Sequence, residues 1–286
     1  MSRPVFRFAP SPNGRLHLGH AFSALCTARA ADAASGVFLL RIEDIDPLRS
    51  KPEFEAGILE DLSWLGLHWE EPVLRQSSRM GAYAAVSETL RDRDLIYPCF
   101  CSRRSAAAVA IAQDPDGAPI YTATCRCLSK DEAAERIGQG EQAQWRLKMD
   151  LAIQKAGPLT MREAAASGTE ALWADETERQ ADPARWGDAV LLRKEVPTSY
   201  HLSVTADDAV QGVTHVTRGM DLFHATDLHV LLQRLLGLPP PVYCHHRLLR
   251  DPDGQKLSKS RQSRSLKSLR EGGWTAADVR KALGFP

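Results

Sequence analysis

The stretch FAPSPNGRLHLGH, residues 8–20, holds two prolines, two glycines and two histidines between hydrophobic neighbours. Just before it, PVFRFA (4–9) reads as a short strand running straight into the Pro/Gly turn. Just after it, GHAFSALCTARAADAAS is alanine-rich, free of proline and long enough for a helix, which Gly36 stops. VFLLRIE (37–43) then reads as a buried strand with charge at its end. Strand, glycine-containing turn, helix, strand is the βαβ pattern of a parallel sheet. A turn after the first strand of such a sheet lies at its carboxyl edge, where these sheets take ligands.

The start of the following helix offers unpaired backbone N–H groups and a positive dipole end, which suit phosphate. His17 and His20 stand three residues apart, close to one helical turn, so both imidazoles can face one ligand. Gly19 lets a base or ribose approach the backbone, and imidazole N–H groups can stabilise charge on a transferring phosphoryl group. H-x-G-H met anywhere also describes a surface turn; its place after an N-terminal strand favours the phosphate cradle.

Composition sets bounds. A chain of 286 residues can form one large domain or two modest ones. Lys+Arg and Asp+Glu both number 36, which argues against a uniformly basic, nucleic-acid-coating protein. A local basic patch exists: Arg247–Arg270 carries eight Lys or Arg against Asp251 and Asp253. MSRPVFRF has no apolar core or cleavage site of a signal peptide, and no run of 18 apolar residues occurs. A cytoplasmic protein without a membrane span is expected.

Further along, DIDPLRSKPEFEAGILEDLSWLGLHW reads as the next helix, with Asp46 as N-cap and Pro47 at its first position. The segment 99–187 reads as an insertion, with Gly and Pro at 115–119 and weak strand signals. Parallel-sheet patterning then resumes with DAVLLR (188–193), HLSVTA (201–206) and GVTHVTR (212–218). DLFHATDLHVLLQRLLG is a strong helix ended by Gly237 and three prolines. The expected division is 1–98 and 188–240 for the two halves of the sheet, 99–187 for the insertion and 241–286 for a C-terminal region.

Cysteines cluster within the insertion. Cys99 and Cys101 form one C-x-C pair, and Cys125 and Cys127 another, while Cys26 and Cys244 lie alone. In a chain without an export signal this favours metal over disulfides, and four thiolates at that spacing suit a tetrahedral structural zinc.

HLGH near the start and KLSKS (256–260) near the end resemble the paired signatures of class I aminoacyl-tRNA synthetases. RFAPSPNGRLHLGH, RIEDID and GVTHVTRGMDL, in that order, resemble the glutamate branch of the class, and the likeness spans Arg7 to Ser260. The chain ends 26 residues after Ser260, where an ordinary member of the branch continues into a large anticodon-binding region. CFC followed by YTATCR resembles the zinc site of a short paralogue group that attaches glutamate to queuosine in the anticodon of tRNA(Asp).

The resemblance implies an α/β fold: a Rossmann-like parallel sheet with a zinc-containing insertion and a short KLSKS-bearing C-terminal region. It implies that Arg7, Phe8, Ala9, Pro10 and Ser11 line a glutamate pocket with Glu43, Tyr200 and Arg218. The residue types fit, because free glutamate brings two carboxylates and one ammonium. Arg7 and Arg218 offer planar forks, Tyr200 a hydroxyl, and Glu43 a partner for the ammonium. On residue type alone, Glu43 could merely pair with Arg41 or Arg49, and Arg218 could be a surface charge.

His17, Gly19 and His20 would hold ATP, with Lys256 and Lys259 acting on the departing pyrophosphate. Mg²⁺ would arrive with ATP. The zinc ligands implied are Cys99, Cys101, Tyr121 and Cys125, which leaves Cys127 as the competitor of Tyr121. His68, His201, His215, His224, His229, His245 and His246 show no metal spacing and are expected in packing or surface roles. The expected enzyme is a monomer acting on ATP, L-glutamate and queuosine-bearing tRNA(Asp). The competing readings are a synthetase charging a tRNA 3′ end, a small H-x-G-H nucleotidyltransferase and an inactive tRNA-binding paralogue.

Overall fold

Within PVFRFA, Val5–Phe8 is a strand, paired on both sides inside the main sheet. The computed structural model describes residues 3–108, 110, 112–121, 124–167, 170–250 and 264–285. The chain begins with β1 (Val5–Phe8), α1 (Leu18–Ala33), β2 (Val37–Ile42), α2 (Pro52–Trp64), β3 (Glu70–Arg75), α3 (Met80–Asp92) and β4 (Ile96–Cys99). Next come α4 (Arg103–Ala108), α5 (Lys130–Gly138), β5 (Gln144–Leu147), α6 (Met149–Ala156), β6 (Thr160–Ser167) and β7 (Glu170–Gln180). The chain continues with β8 (Val190–Leu192), α7 (Tyr200–Val210), β9 (His215–Gly219), α8 (Ala225–Leu236), β10 (Val242–His246), α9 (Leu266–Glu271) and α10 (Ala276–Leu283).

Among the described residues, seven strands form one sheet in the order β3-β2-β1-β9-β10-β6-β7. All its pairings are parallel except the β6–β7 hairpin at one edge. From β1 the chain first builds outward through β2 and β3, then returns much later to add β9 and β10 on the other side. That reversal is a topological switch point, and the crevice at the carboxyl ends of β1 and β9 is where such a sheet binds its ligand. Helix α1 starts beside the crevice and buries Ala21, Phe22, Ala24 and Leu25 with Phe6, Phe8, Leu40 and Ile42 in one core. A second core gathers α6, α8 and β9 around Leu228, Leu231, Val216 and Tyr243. The α/β class expected from the sequence is therefore the fold.

Three readings need correction. HLSVTA is not a strand; it lies in α7, where Leu202 through Asp208 are all buried. A helix buried on every side loses the 3.6-residue alternation, and Val204 and Thr205 then imitate a strand. DAVLLR does supply a strand, but β8 pairs antiparallel with β5, which pairs antiparallel with β4, in a separate three-stranded sheet. A short apolar run carries no sign of its partner's direction. Asp46–Pro47 does not open the next helix: Asp46 caps a turn by accepting from Leu48 N and Arg49 N, and α2 starts at Pro52. Proline at the first helical position was the right signal, at the second of two prolines.

The insertion segment also behaves differently from its reading, since β6 and β7 lie within 99–187 and extend the main sheet. At the other end, α9 and α10 return to the first core, with Leu266, Leu269, Val279 and Leu283 packed against it. Leu266 N donates to Leu16 O at 2.8 Å, and Ser265 forms a β-bridge with His17. Among the described residues no helix is long and apolar enough to cross a membrane.

Candidate active site

The crevice at the switch point is a cavity of about 640 Å³, within the size range of small-molecule sites. The end of β1 supplies Phe8, the turn after it Ala9, Pro10 and Ser11, and the start of α1 with its cap supplies His17, Gly19 and His20. Arg7 on β1, Glu43 just after β2, Tyr200 at the start of α7 and Arg218 on β9 complete the set expected from the sequence. Every expected pocket residue that the structure describes thus lines one cavity. Lys256 and Lys259 lie outside the described residues, but Leu248 and Leu249 line the cavity upstream and Ser265 is bridged to His17 downstream.

The histidine pair is fixed by the backbone. His17 caps α1: its Nδ1 accepts from Gly19 N at 3.0 Å, while His20 Nδ1 accepts from His17 N at 3.2 Å. With both Nδ1 atoms accepting, each neutral ring carries its proton on Nε2, so each is a donor there. The rings lie 3.9 Å apart. Gly19 is required by this packing, because a Cβ there would fall 2.9 Å from His17 Cε1.

The two arginines differ in electrostatic state. Arg7 Nε pairs with Asp208 Oδ1 at 3.0 Å, and the fully buried Arg41 donates to the same oxygen at 2.7 Å. Burial alone would raise the pKa of Asp208, but Arg7 and Arg41 outweigh it and hold the carboxylate below its ordinary range. Arg41 also reaches Glu43 Oε1 at 3.2 Å, so the pairing of Glu43 that residue types suggested does exist. Glu43 nonetheless lines the cavity, and burial raises its pKa against the opposing pull of Arg41 and Arg7. A cation entering the cavity would relieve that penalty.

Arg218 is buried, contrary to a surface role. Its partners among the described residues are Thr226 Oγ1 at 2.5 Å, His229 Nδ1 at 3.1 Å and His245 Nε2 at 3.2 Å, all uncharged acceptors. Burial, reinforced by Arg218, drives the pKa of His229 well below the ordinary value and that of His245 down to about 4. The guanidinium therefore keeps its whole charge for what enters the cavity. Tyr200, pushed up to about 12 by burial against the opposing effect of Arg218, is a neutral hydroxyl.

Sequence reasoning missed the residues behind this wall. Asp208 holds Arg7, His229 and His245 hold Arg218, and these two histidines are not the packing residues expected of them. The only available signal was register: once β9 and β10 are paired, His245 stands opposite Arg218. A smaller cavity of about 320 Å³ adjoins the first, sharing Ser11, Asn13, Glu43 and Tyr200 and adding Asp46, Arg49 and Arg193.

The cysteine cluster is separate. The sulfurs of Cys99, Cys101 and Cys125 all lie within 4.8 Å of one another and could hold a metal ion. In tetrahedral zinc sites the sulfurs stand roughly 3.8 Å apart, given a Zn–S bond of about 2.3 Å. Tyr121 Oη lies 3.2 Å from Cys101 Sγ, whereas Cys127 is exposed and outside the group. Burial would raise the pKa of Cys99, but hydrogen bonds from Arg146, Gln144 and Tyr121 bring it down to about 7, toward the thiolate a metal needs.

Fold and cavity together are those of the class I aminoacyl-tRNA synthetase catalytic domain. The family described as tRNA synthetases class I (E and Q), catalytic domain, matches residues 5–283. The chain is 48% identical to a glutamyl-Q tRNA(Asp) synthetase of Rhodobacter capsulatus, over 98% of this chain and 100% of that one. It is 37% identical to one of Nitratidesulfovibrio vulgaris, over 96% of this chain and 83% of that one. A crystal structure of a glutamate tRNA ligase from Elizabethkingia meningosepticum in complex with its amino acid superposes with a TM-score of 0.72 at 27% identity, over 91% of this chain. This chain spans 53% of that ligase, about half its length. The chain belongs to the class I glutamate and glutamine tRNA synthetase family, and its relatives of like length are glutamyl-Q tRNA(Asp) synthetases.

Proposed function

We propose that this protein condenses L-glutamate with ATP to glutamyl-adenylate and pyrophosphate, then transfers the glutamyl group to queuosine in tRNA(Asp). The observation that carries the first step is the composition of one cavity. Two Nε2–H histidines at a helix start line it together with an uncompensated arginine, a buried carboxylate and a neutral tyrosine. The acceptor is supported by relatives of like length named for tRNA(Asp).

In this reading Arg218 and Arg7 hold the carboxylates of glutamate, and Glu43 holds its ammonium. A carboxylate oxygen attacks the α-phosphorus in line; the new O–P bond forms as the bond to the pyrophosphate oxygen breaks. Catalysis is positioning plus charge stabilisation. His17 and His20 donate from Nε2 to phosphate oxygens, and Lys256 and Lys259 of KLSKS contact the leaving pyrophosphate. Mg²⁺ accompanies ATP and neutralises its phosphates. An acceptor hydroxyl of the nucleoside then attacks the activated carbonyl: the new C–O bond forms as the carbonyl–phosphate C–O bond breaks, AMP leaves and the hydroxyl proton passes to solvent, with the smaller cavity as the approach. The enzyme acts as a monomer in the cytoplasm. Cys99, Cys101, Cys125 and Tyr121 hold a structural zinc, which ties the loop carrying Cys125 to β4.

The test is glutamate-dependent ATP–pyrophosphate exchange without tRNA, followed by transfer of labelled glutamate to tRNA(Asp) with and without queuosine. Exchange without tRNA and transfer only to the queuosine-bearing form are expected. Absence of exchange removes the synthetase reading, and exchange that requires tRNA(Glu) replaces it with 3′-end charging.

A further inference from the structure

Four neighbouring strands place four side chains in a line that runs from the cavity to the edge of the sheet. Arg218 on β9 stands directly opposite His245 on β10, while Glu163 on the next strand, β6, pairs in register with Tyr243. Arg179 on the edge strand β7 closes the line on Glu163 Oε2 at 2.5 Å. Arg218 also lies over the ring of Tyr243, 5.0 Å from its centroid.

The protons along this line are determined by its ends. Arginine has no acceptor, so at 3.2 Å His245 Nε2 must be bare to receive Arg218 Nε–H. The remaining proton is then on Nδ1, which faces Glu163 Oε1 at 2.9 Å. A carboxylate accepts that proton; burial would raise the pKa of Glu163, but this hydrogen bond and then Arg179 hold it below the ordinary range. The same logic sets His229: Nδ1 accepts from Arg218 Nη1, and Nε2–H donates to His201 Nδ1 at 3.1 Å.

We infer that His245, held in its Nδ1–H tautomer by Glu163, is a positioning residue that aims the Arg218 guanidinium into the cavity. The inference rests on the proposed role of Arg218 as a carboxylate ligand. A carboxylate in the place of His245 would hold Arg218 equally well but would cancel its charge. A bare imidazole nitrogen fixes Nε and leaves the charge for the substrate. Without that acceptor, the buried Nε–H is left unpaired and the guanidinium is held only through its two Nη atoms, by Thr226 and His229, so its tilt toward the pocket is no longer fixed. Glu163 acts one step further back, by denying His245 the tautomer that would set N–H against N–H.

The test uses pyrophosphate exchange and thermal melts on the full chain. His245→Phe should raise the glutamate KM about 10- to 100-fold, the effect of losing a hydrogen bond to a charged group, with the ATP KM unchanged. His245→Gln returns an oxygen acceptor to Arg218 and should recover most of that loss. Glu163→Leu should give a smaller rise in the same constant. Equal damage from Phe and Gln at equal melting temperature, an ATP KM that rises in step, or no effect of Phe overturns the inference. If the parent shows no exchange, the proposed function has failed instead. The positioning claim is then decided by ¹⁵N spectra of ring-labelled histidine: Nδ1 protonated in the parent and shifted in Glu163→Leu supports it, and an Nε2–H tautomer for His245 refutes it.

Discussion

Gly19 shows how little room a single atom has at this site. Its missing Cβ is the space that the His17 ring occupies, so Gly19→Ala should turn the ring away from Nε2-donor geometry while leaving the glutamate pocket untouched. A roughly tenfold rise in the ATP KM, worth about 1.4 kcal/mol, is expected in pyrophosphate exchange with the glutamate KM unchanged. Residues that line the cavity were legible because their spacing is dictated by the backbone turn: Phe8 to His20 lie in one unbroken stretch and all the candidates within it line the cavity. Residues that hold those residues were not. Asp208 sits 201 positions from the Arg7 it pairs with, and nothing in either neighbourhood of sequence points to the other.

At the scale of elements, the same contrast separates α1 from α7. Helix α1 is bracketed by a turn and by Gly36, and its ends could be read; α7 is buried on all sides, and its burial erased the period that identifies a helix. The docking of α9 on α2 was also invisible, and it carries a cost. Asp61 on α2 is fully buried at this junction with Arg270 of α9 3.6 Å away, too far for a hydrogen bond. Burial pushes its pKa from the ordinary 3.8 up to about 6, with Arg270 opposing. Because the folded state prefers the protonated acid, the contribution of Asp61 to stability is fully present below pH about 4 and is lost as pH rises through 6. Asp61→Asn should therefore be more stable than the parent at pH 7.5 by roughly 2–3 kcal/mol, a gain that disappears below pH about 4. Urea unfolding at three or four pH values measures both arms.

For the whole molecule, the parallel sheet and its ligand-bearing edge followed from βαβ patterning, whereas the small antiparallel sheet did not, since strand direction leaves no mark in β8. That sheet carries Cys99 on β4, and none of the three clustered cysteines lines the switch-point cavity, so the proposed metal site and the proposed glutamate site are separate. Cys101→Ser should lose most of the bound metal and lower the melting temperature, Tyr121→Phe should weaken retention, and Cys127→Ser should keep one metal ion per chain. Metal content after dialysis against a chelator distinguishes them; loss from the Cys127 variant alone would move the fourth ligand to that residue.

The bridge between Ser265 and His17 has a consequence for kinetics. Lys259 is six residues from Ser265, so no conformation of the chain can carry its Cα further than about 20 Å from that anchor. Its ammonium reaches about 6 Å beyond Cα, and one cation confined to a sphere of about 26 Å radius corresponds to a local concentration of roughly 20 mM. In the proposed reaction a leaving pyrophosphate would meet a cation supplied at high local concentration by the polypeptide itself and tethered from both sides, since Leu249, ten residues before Lys259, lines the same cavity.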